Sequence, residues 1–232
     1  MNKISQYIFS TVLGLVVFFF WIILHPYDLS FQEQNQLFLF TWDYFLERIS
    51  VCGGLADYIA EFITQFNYIP YLGEALMALL FVIFQIVTAA SICRKEWYVL
   101  SFITPVMMLV YMNDIYVMLC YLIALIIAVS MCALYRRHPG LLWACIATVI
   151  GYWLIGPAIF VFTLFAVLRE RNWNSLILVA VAVLTLVVSK WTYLQQYPWK
   201  TLAFGVNYYR HALVVPPMQL VIAAAAVLVP AF

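Results

Sequence analysis

Long apolar runs separated by brief polar breaks fill most of the chain, and this alternation predicts its elements. Tyr7 to Leu24 is almost purely apolar and reads as span one. A polar and aromatic stretch from His25 to Pro70 follows. Span two is predicted from Tyr71 to Cys93 and ends at Arg94-Lys95. The run from Trp97 to Tyr135 is too long for one helix at a rise of about 1.5 Å per residue. Asn113-Asp114 is its strongest polar break, so span three is predicted over Tyr98 to Met112 and span four over Ile115 to Tyr135. Leu141 to Leu168 is again too long, and Gly156-Pro157 sits at its middle, where a helix breaks. Basic residues flank both ends of that run. A short helical hairpin, with arms Leu141 to Ile155 and Ala158 to Leu168, keeps those charges on one side. Span seven is predicted over Ser175 to Ser189, and a last apolar run covers Ala212 to Phe232. The expected fold is an all-α integral membrane protein of about eight mostly short spans.

Charge gives the spans a direction. Lys3, Arg94, Lys95, Arg136, Arg137, Arg169 and Arg171 fall on one face if the spans alternate as drawn, and that face is expected to be cytoplasmic. The opposite face receives Asp28, Glu33, Asp43, Glu47, Asp57, Glu61 and Asp114, with Arg48 as the only cation of the first outer loop. The N-terminus is then cytoplasmic. Met1-Asn2-Lys3 before a long apolar run, with no small-x-small cleavage pattern after it, reads as a retained signal anchor. The abrupt apolar end at Phe232 suggests that a C-terminal region is missing.

Composition agrees with the pattern. Hydrophobic residues make up 67% of the chain and charged residues 9%, and mean hydropathy is +1.02, which predicts one polytopic membrane domain over residues 1–232. A net charge of +1 gives no footprint for nucleic acid. The five cysteines lack CxxC or Cys/His spacing and read as small core residues.

The first outer loop, residues 25–70, is too aromatic to be disordered. Ser30-Phe31-Gln32-Glu33 has the form of a capping box and predicts a helix starting at Ser30. Leu37, Phe38, Phe45, Leu46 and Ile49 lie near one helical face. Gly53-Gly54 breaks the chain, and Leu55 to Phe66 forms a second amphipathic helix, with Asp57 and Glu61 opposite its apolar face. Two interfacial helices forming a shelf over the bundle are expected. A carboxylate there can act as a general base, or hold a metal that neutralises a phosphate. No metal-ligand set stands out, and any cofactor is unknown from sequence. The acids of interest are Glu33 and Asp28 after span one, Asp43 in mid-shelf, Asp114 between spans three and four, and Glu74 just inside span two. Each also has a structural reading: Glu33 as a capping residue, Asp43 on a solvated face, Asp114 as a turn residue, Glu74 at the interface.

This layout resembles the C-type glycosyltransferase superfamily, multi-pass enzymes that use polyprenyl-phosphate sugars. The shared features are a long first outer loop with interfacial helices, an acid just beyond span one, and a short second outer loop with a further acid. The resemblance implies that Glu33 in Phe31-Gln32-Glu33-Gln34, or else Asp28, matches the first acid, and Asp114 in Tyr111-Met112-Asn113-Asp114 the second. It implies that the first acid activates the acceptor and the second helps to hold phosphate or acceptor, with the bacterial inner membrane as the setting.

The late segment 190–211 places Lys190, Lys200, Arg210 and His211 on the outer side, among Trp191, Tyr193, Tyr197, Trp199, Tyr208 and Tyr209. Cations for a phosphate and rings for a sugar face or prenyl chain would make an anionic head-group pocket. An interfacial belt with snorkelling cations explains the same residues. The expected function is a glycosyltransferase-like protein acting on a lipid-phosphate-linked sugar. Glu33 and Asp114 are the candidate catalytic residues, and Asp28, Asp43, Glu74, Lys200, Arg210 and His211 the candidate substrate-binding ones. A non-catalytic assembly or anchoring subunit, whose outer loop docks a protein partner, is the alternative, favoured by the abrupt end and the absence of a double acid. A transporter or flippase ranks below both, since few polar side chains interrupt the spans.

Overall fold

The computed structural model describes residues 3–34, 36–92, 95–115, 117–170, 173–204 and 217–231. Within them every regular element is helical: α1 Lys3–Phe19, α2 Asp28–Gln34, α3 Trp42–Ile49, α4 Gly54–Thr64, α5 Leu72–Ser91, α6 Ile103–Tyr111, α7 Leu119–Arg137, α8 Leu141–Ile155, α9 Ile159–Glu170, α10 Trp173–Thr192, α11 Trp199–Phe204 and α12 Pro217–Ala231. Among the described residues, five stretches suffice by length and composition to cross a membrane: Ile4–Leu24, Leu72–Ser91, Leu119–Arg137, Leu141–Glu170 and Trp173–Thr192.

The fourth stretch does not run straight. As a single helix it would reach about 45 Å, well beyond a hydrocarbon core of about 30 Å. Gly156, with φ 69° and ψ −157°, takes a backbone conformation that disfavours any side chain, and the chain reverses there. Thr148 of α8 and Thr163 of α9 meet across the reversal with hydroxyls 3.0 Å apart. The helical hairpin expected from the flanking arginines is therefore present.

Contacts give the helix directions. Ser10 of α1 donates to Gln85 Oε1 of α5 at 2.7 Å, so these two run antiparallel, and Gln85 reaches on to Ser101 at 2.7 Å. Arg136 at the end of α7 donates to the Ala90 carbonyl of α5 at 3.0 Å and to that of Ile92. A cation there satisfies the orphan carbonyls of a helix C-terminus. Tyr135 of α7 donates to Glu170 at the end of α9 at 2.5 Å. Arg136, Arg137 and Arg169 thus gather at one end of the bundle. His25, Asn113, the hairpin tip at Gly156 and the end of α10 gather at the other.

Helix α7 forms the centre: Leu119 to Leu125, Ala128, Val129, Cys132 and Tyr135 are all buried. Cys52, Cys120 and Cys132 are buried free thiols, which fits the small-core reading. By contrast, Leu178 is the only buried residue described on α10.

The predicted elements differ from the observed ones in three places. Span three is not a single α-helix: Lys95–Phe102 is 3-10 and α6 starts at Ile103, with Pro105 in its first turn, where a missing N–H costs nothing. Between spans one and two stand three short α-helices, not two. The capping box at Ser30 does not start a helix, since α2 begins at Asp28, and Leu37 and Phe38 lie in an extended segment before α3. Thr41 caps α3 instead, its hydroxyl accepting from the Tyr44 N–H at 3.3 Å.

The third difference is one of orientation. Helix α4 follows its predicted limits closely but turns its acidic face inward. Asp57 and Glu61 are 5% and 4% exposed, beside buried Ala56, Ala60 and Thr64, while Leu55, Ile59, Phe62 and Ile63 are half-buried. Small residues let helices approach closely, while Ile59 and Ile63 still pack against the core and Phe62 against Phe38, Phe40 and Phe66. The helix packs against α7 and α8. Gly53 and Gly54 allow this. Gly53 is left-handed at φ 83°, and a Cβ on Gly54 would stand 1.7 Å from the Arg48 carbonyl oxygen.

Candidate functional site

Two polar clusters occupy the end opposite the arginines. The first begins where α1 loosens into a π-helical turn, Phe20–Leu24, a distortion that recurs at functional sites. It delivers His25 to the end of the bundle, where the imidazole packs 4.8 Å from the Phe20 ring and 5.7 Å from that of Trp21. The Trp21 indole N–H is fully buried and has no hydrogen-bond partner among the described residues.

His25 Nδ1 lies 2.6 Å from Asp28 Oδ2, three residues on, and His25 Nε2 lies 2.9 Å from Asn113 Oδ1, which follows α6. The imidazole therefore ties the connector after α1 to the one after α6. Side-chain exposures of 17% and 22% for His25 and Asp28 leave both reachable. With Nδ1–H donated to Asp28, a neutral ring carries its lone pair on Nε2, and the Asn113 amide then turns its NH₂ toward it. A doubly protonated ring donates to both oxygens. A carboxylate orienting an imidazole is the arrangement that general-base chemistry requires.

Helix α2 is fastened on two sides. Gln32 Nε2 donates to the Val117 carbonyl at 3.1 Å and Gln36 Nε2 approaches Met118 Sδ at 3.0 Å. On its other flank, Asn67 Nδ2 donates to the Leu29 carbonyl at 3.2 Å and Gln65 Nε2 to that of Gln36 at 3.0 Å.

The second cluster lies between α3 and α4. Arg48 Nη2 stands 2.9 Å from Glu61 Oε1 and donates to the Tyr44 hydroxyl at 2.7 Å. That hydroxyl lies 2.5 Å from Glu61 Oε2 and 2.8 Å from the Leu37 carbonyl. The charged acceptor is the stronger partner for its single proton. Burial, and then the bond to Glu61, push the Tyr44 phenol up to about 12. Arg48 and Glu61 are 6% and 4% exposed. A pair so enclosed holds α3 to α4 and offers no surface to a substrate. Beside it the Ile49–Gly54 turn is seated on the end of α8. Trp153 Nε1 donates to the Ile49 carbonyl at 2.9 Å, the Gly53 N–H to the Trp153 carbonyl at 2.7 Å and the Cys52 thiol to the Tyr152 carbonyl at 3.0 Å. Burial raises the Cys52 thiol pKa.

Glu33 is half-buried on α2, five residues after Asp28. Asp114 is exposed in the turn after α6; its N–H donates to the Tyr111 carbonyl at 3.3 Å and its own carbonyl accepts from Val117 at 2.9 Å. Asp28 is the acid joined to the second connector, through His25. Asp43 is exposed in the first turn of α3, where a carboxylate favours the helix. Glu74 holds the same place on α5, half-buried. Lys200 is exposed on α11. Arg210 and His211 lie outside the described residues. Sequence reasoning passed over His25 and Asn113. The His-x-x-Asp spacing was a usable local signal, whereas the contact to Asn113 spans 88 positions and left none.

No curated protein and no solved structure matches the chain. Along residues 1–232 the chain matches DUF6057, a family of unknown function, and it belongs to that family.

Proposed function

We propose that this chain is a membrane glycosyltransferase-like protein that acts on a lipid-phosphate-linked sugar at the outer face of a bacterial inner membrane, with its N-terminus in the cytoplasm. The observation that carries the proposal is the His25 bridge between Asp28 and Asn113. It gathers a base and a second acid-bearing connector at one end, and the clustering of Arg136, Arg137 and Arg169 at the other supports the orientation. In the proposed reaction an acceptor hydroxyl oxygen attacks the anomeric carbon of the donor sugar. The bond from that carbon to the lipid phosphate breaks, the phosphate leaves with the electron pair, and the hydroxyl proton passes to His25 Nε2, where the acceptor takes the place of the Asn113 amide while Asp28 holds Nδ1–H. Asp114 and Glu33, on the same two connectors, hold the acceptor or a neutralising cation.

The test is transfer from polyprenyl-phosphate sugars by the chain in proteoliposomes. His25→Ala, Asp28→Asn and Asp114→Asn are expected to lower the rate, the first two by roughly 10²–10⁴-fold. Undiminished transfer in all three would defeat the assignment.

One observation favours a second reading, an assembly or anchoring subunit. Leu37 and Phe40, in the connector between α2 and α3, and Trp42, the first residue of α3, are 71%, 81% and 69% exposed. An apolar patch of this kind suits a protein partner as well as a lipid interface. Replacing Phe40 and Trp42 with Ser separates the two, since it would cost partner binding under the second reading and leave transfer intact under the first.

A further inference from the structure

Helix α10 touches the bundle without closing on it, and an apolar cavity of about 650 Å³ remains between α8 and α10. Ile146 and Val149 form one wall, Leu184 and Val188 the other. Trp153 and Tyr193, with ring centroids 5.2 Å apart, close it at the end that carries His25. Its size falls in the range of ligand sites, about 300–1,000 Å³. An apolar hollow of this kind does not hold water, so in a bilayer hydrocarbon fills it.

A positive charge follows the cavity wall in sequence, on the last turn of α10. Lys190, next to Ser189 of the cavity wall, donates to the carbonyls of Gln195 and Tyr197, each at 2.6 Å. Those oxygens fix the ammonium in place but carry only partial charge. Among the described residues no carboxylate lies within ion-pair distance of Lys190. An ammonium has three donors, so one remains after the two carbonyls are served.

We infer that the α8–α10 cavity is a binding site for an anionic glycerophospholipid, with one acyl chain between the helices and the phosphodiester at Lys190. The donor of the proposed transfer must bring its phosphate to the His25–Asp28 cluster, and no side chain lining the cavity belongs to that cluster. The occupant is therefore a lipid of the bilayer, and the assignment stands whether or not the chain transfers a sugar.

The test is native mass spectrometry of the full chain in detergent, titrated separately with phosphatidylglycerol, phosphatidylcholine and inorganic phosphate. Wild type is expected to prefer phosphatidylglycerol to phosphatidylcholine by roughly fivefold, the effect of one lysine at an anionic lipid surface. Lys190→Gln keeps a donor for the carbonyls while removing the charge, and is expected to erase the preference but retain a bound lipid. Val149→Trp fills the cavity with Lys190 intact, and is expected to release both lipids. Leu184→Trp repeats this from the opposite wall if Val149→Trp fails to fold by circular dichroism. The inference is overturned if Lys190→Gln keeps the preference, if the Trp variant that folds keeps full lipid occupancy, or if inorganic phosphate binds at Lys190 as well as the lipid does.

Discussion

Two groups of polar side chains share one end of this bundle, and they differ in what they leave open. Tyr44, Arg48 and Glu61 are buried between two short helices and bond to one another. His25, Asp28 and Asn113 join connectors far apart in sequence and stay partly exposed. Both contain an acid and a basic group. Enclosure makes the first a fastening that positions α4, whereas access makes the second a place where chemistry can occur. Acidity alone does not mark a site in this chain; the exposure of the acid's partner does.

The largest expected effect lies in the enclosed group. Glu61→Ala leaves the Arg48 charge buried and should destabilise the chain by about 3–5 kcal/mol. The double variant Arg48→Met with Glu61→Leu should recover most of that. Chemical unfolding in detergent, followed by circular dichroism, measures both. A double variant as unstable as Glu61→Ala would mean that the pair does more than fasten α3 to α4.

The next effect depends on pH. The Tyr44 phenol is raised from 10 to about 12, so the folded chain holds its proton more tightly than the unfolded one. Its contribution is fully present below pH 10 and is lost as pH rises through 12. Stability should fall measurably over that window. Tyr44→Phe should remove this part of the pH dependence while leaving the region from pH 7 to 9 flat.

Much of the fold could be read from the sequence because long apolar runs bounded by charge leave few alternatives. The hairpin at Gly156 followed from a Gly-Pro break between basic ends, and α4 followed from Gly53-Gly54 and its helical period. The direction in which α4 faces could not be read that way. Its sequence shows an apolar and an acidic side, and the usual rule for a surface helix turns the apolar side inward. Here protein covers both sides: Phe62 packs on Phe38, Phe40 and Phe66, and Arg48, four residues after Tyr44 on the neighbouring helix, takes up the charge of Glu61. The site was half legible. His25 and Asp28 are local partners, but the pairing with Asn113 depends on how α1 and α6 end, which no short-range pattern encodes.

Smaller effects sharpen the contrast. His25→Ala and Asp28→Asn should each change stability by less than about 1 kcal/mol, as expected for partly exposed pairs, while abolishing the proposed chemistry. A loss as large as that of Glu61→Ala would make the His25 group a second fastening. Smallest is Ser10→Ala, away from both groups, where one interhelical hydrogen bond to Gln85 should be worth about 0.6 kcal/mol in the same unfolding experiment.

The most direct measurement concerns the two ends themselves. Single cysteines introduced at Asp114 and at Arg137, both exposed, can be labelled in sealed, right-side-out vesicles with a reagent that does not cross membranes. Position 114 is expected to react at once and position 137 only after the vesicles are opened. Equal reaction of both positions in sealed vesicles would contradict the proposed orientation.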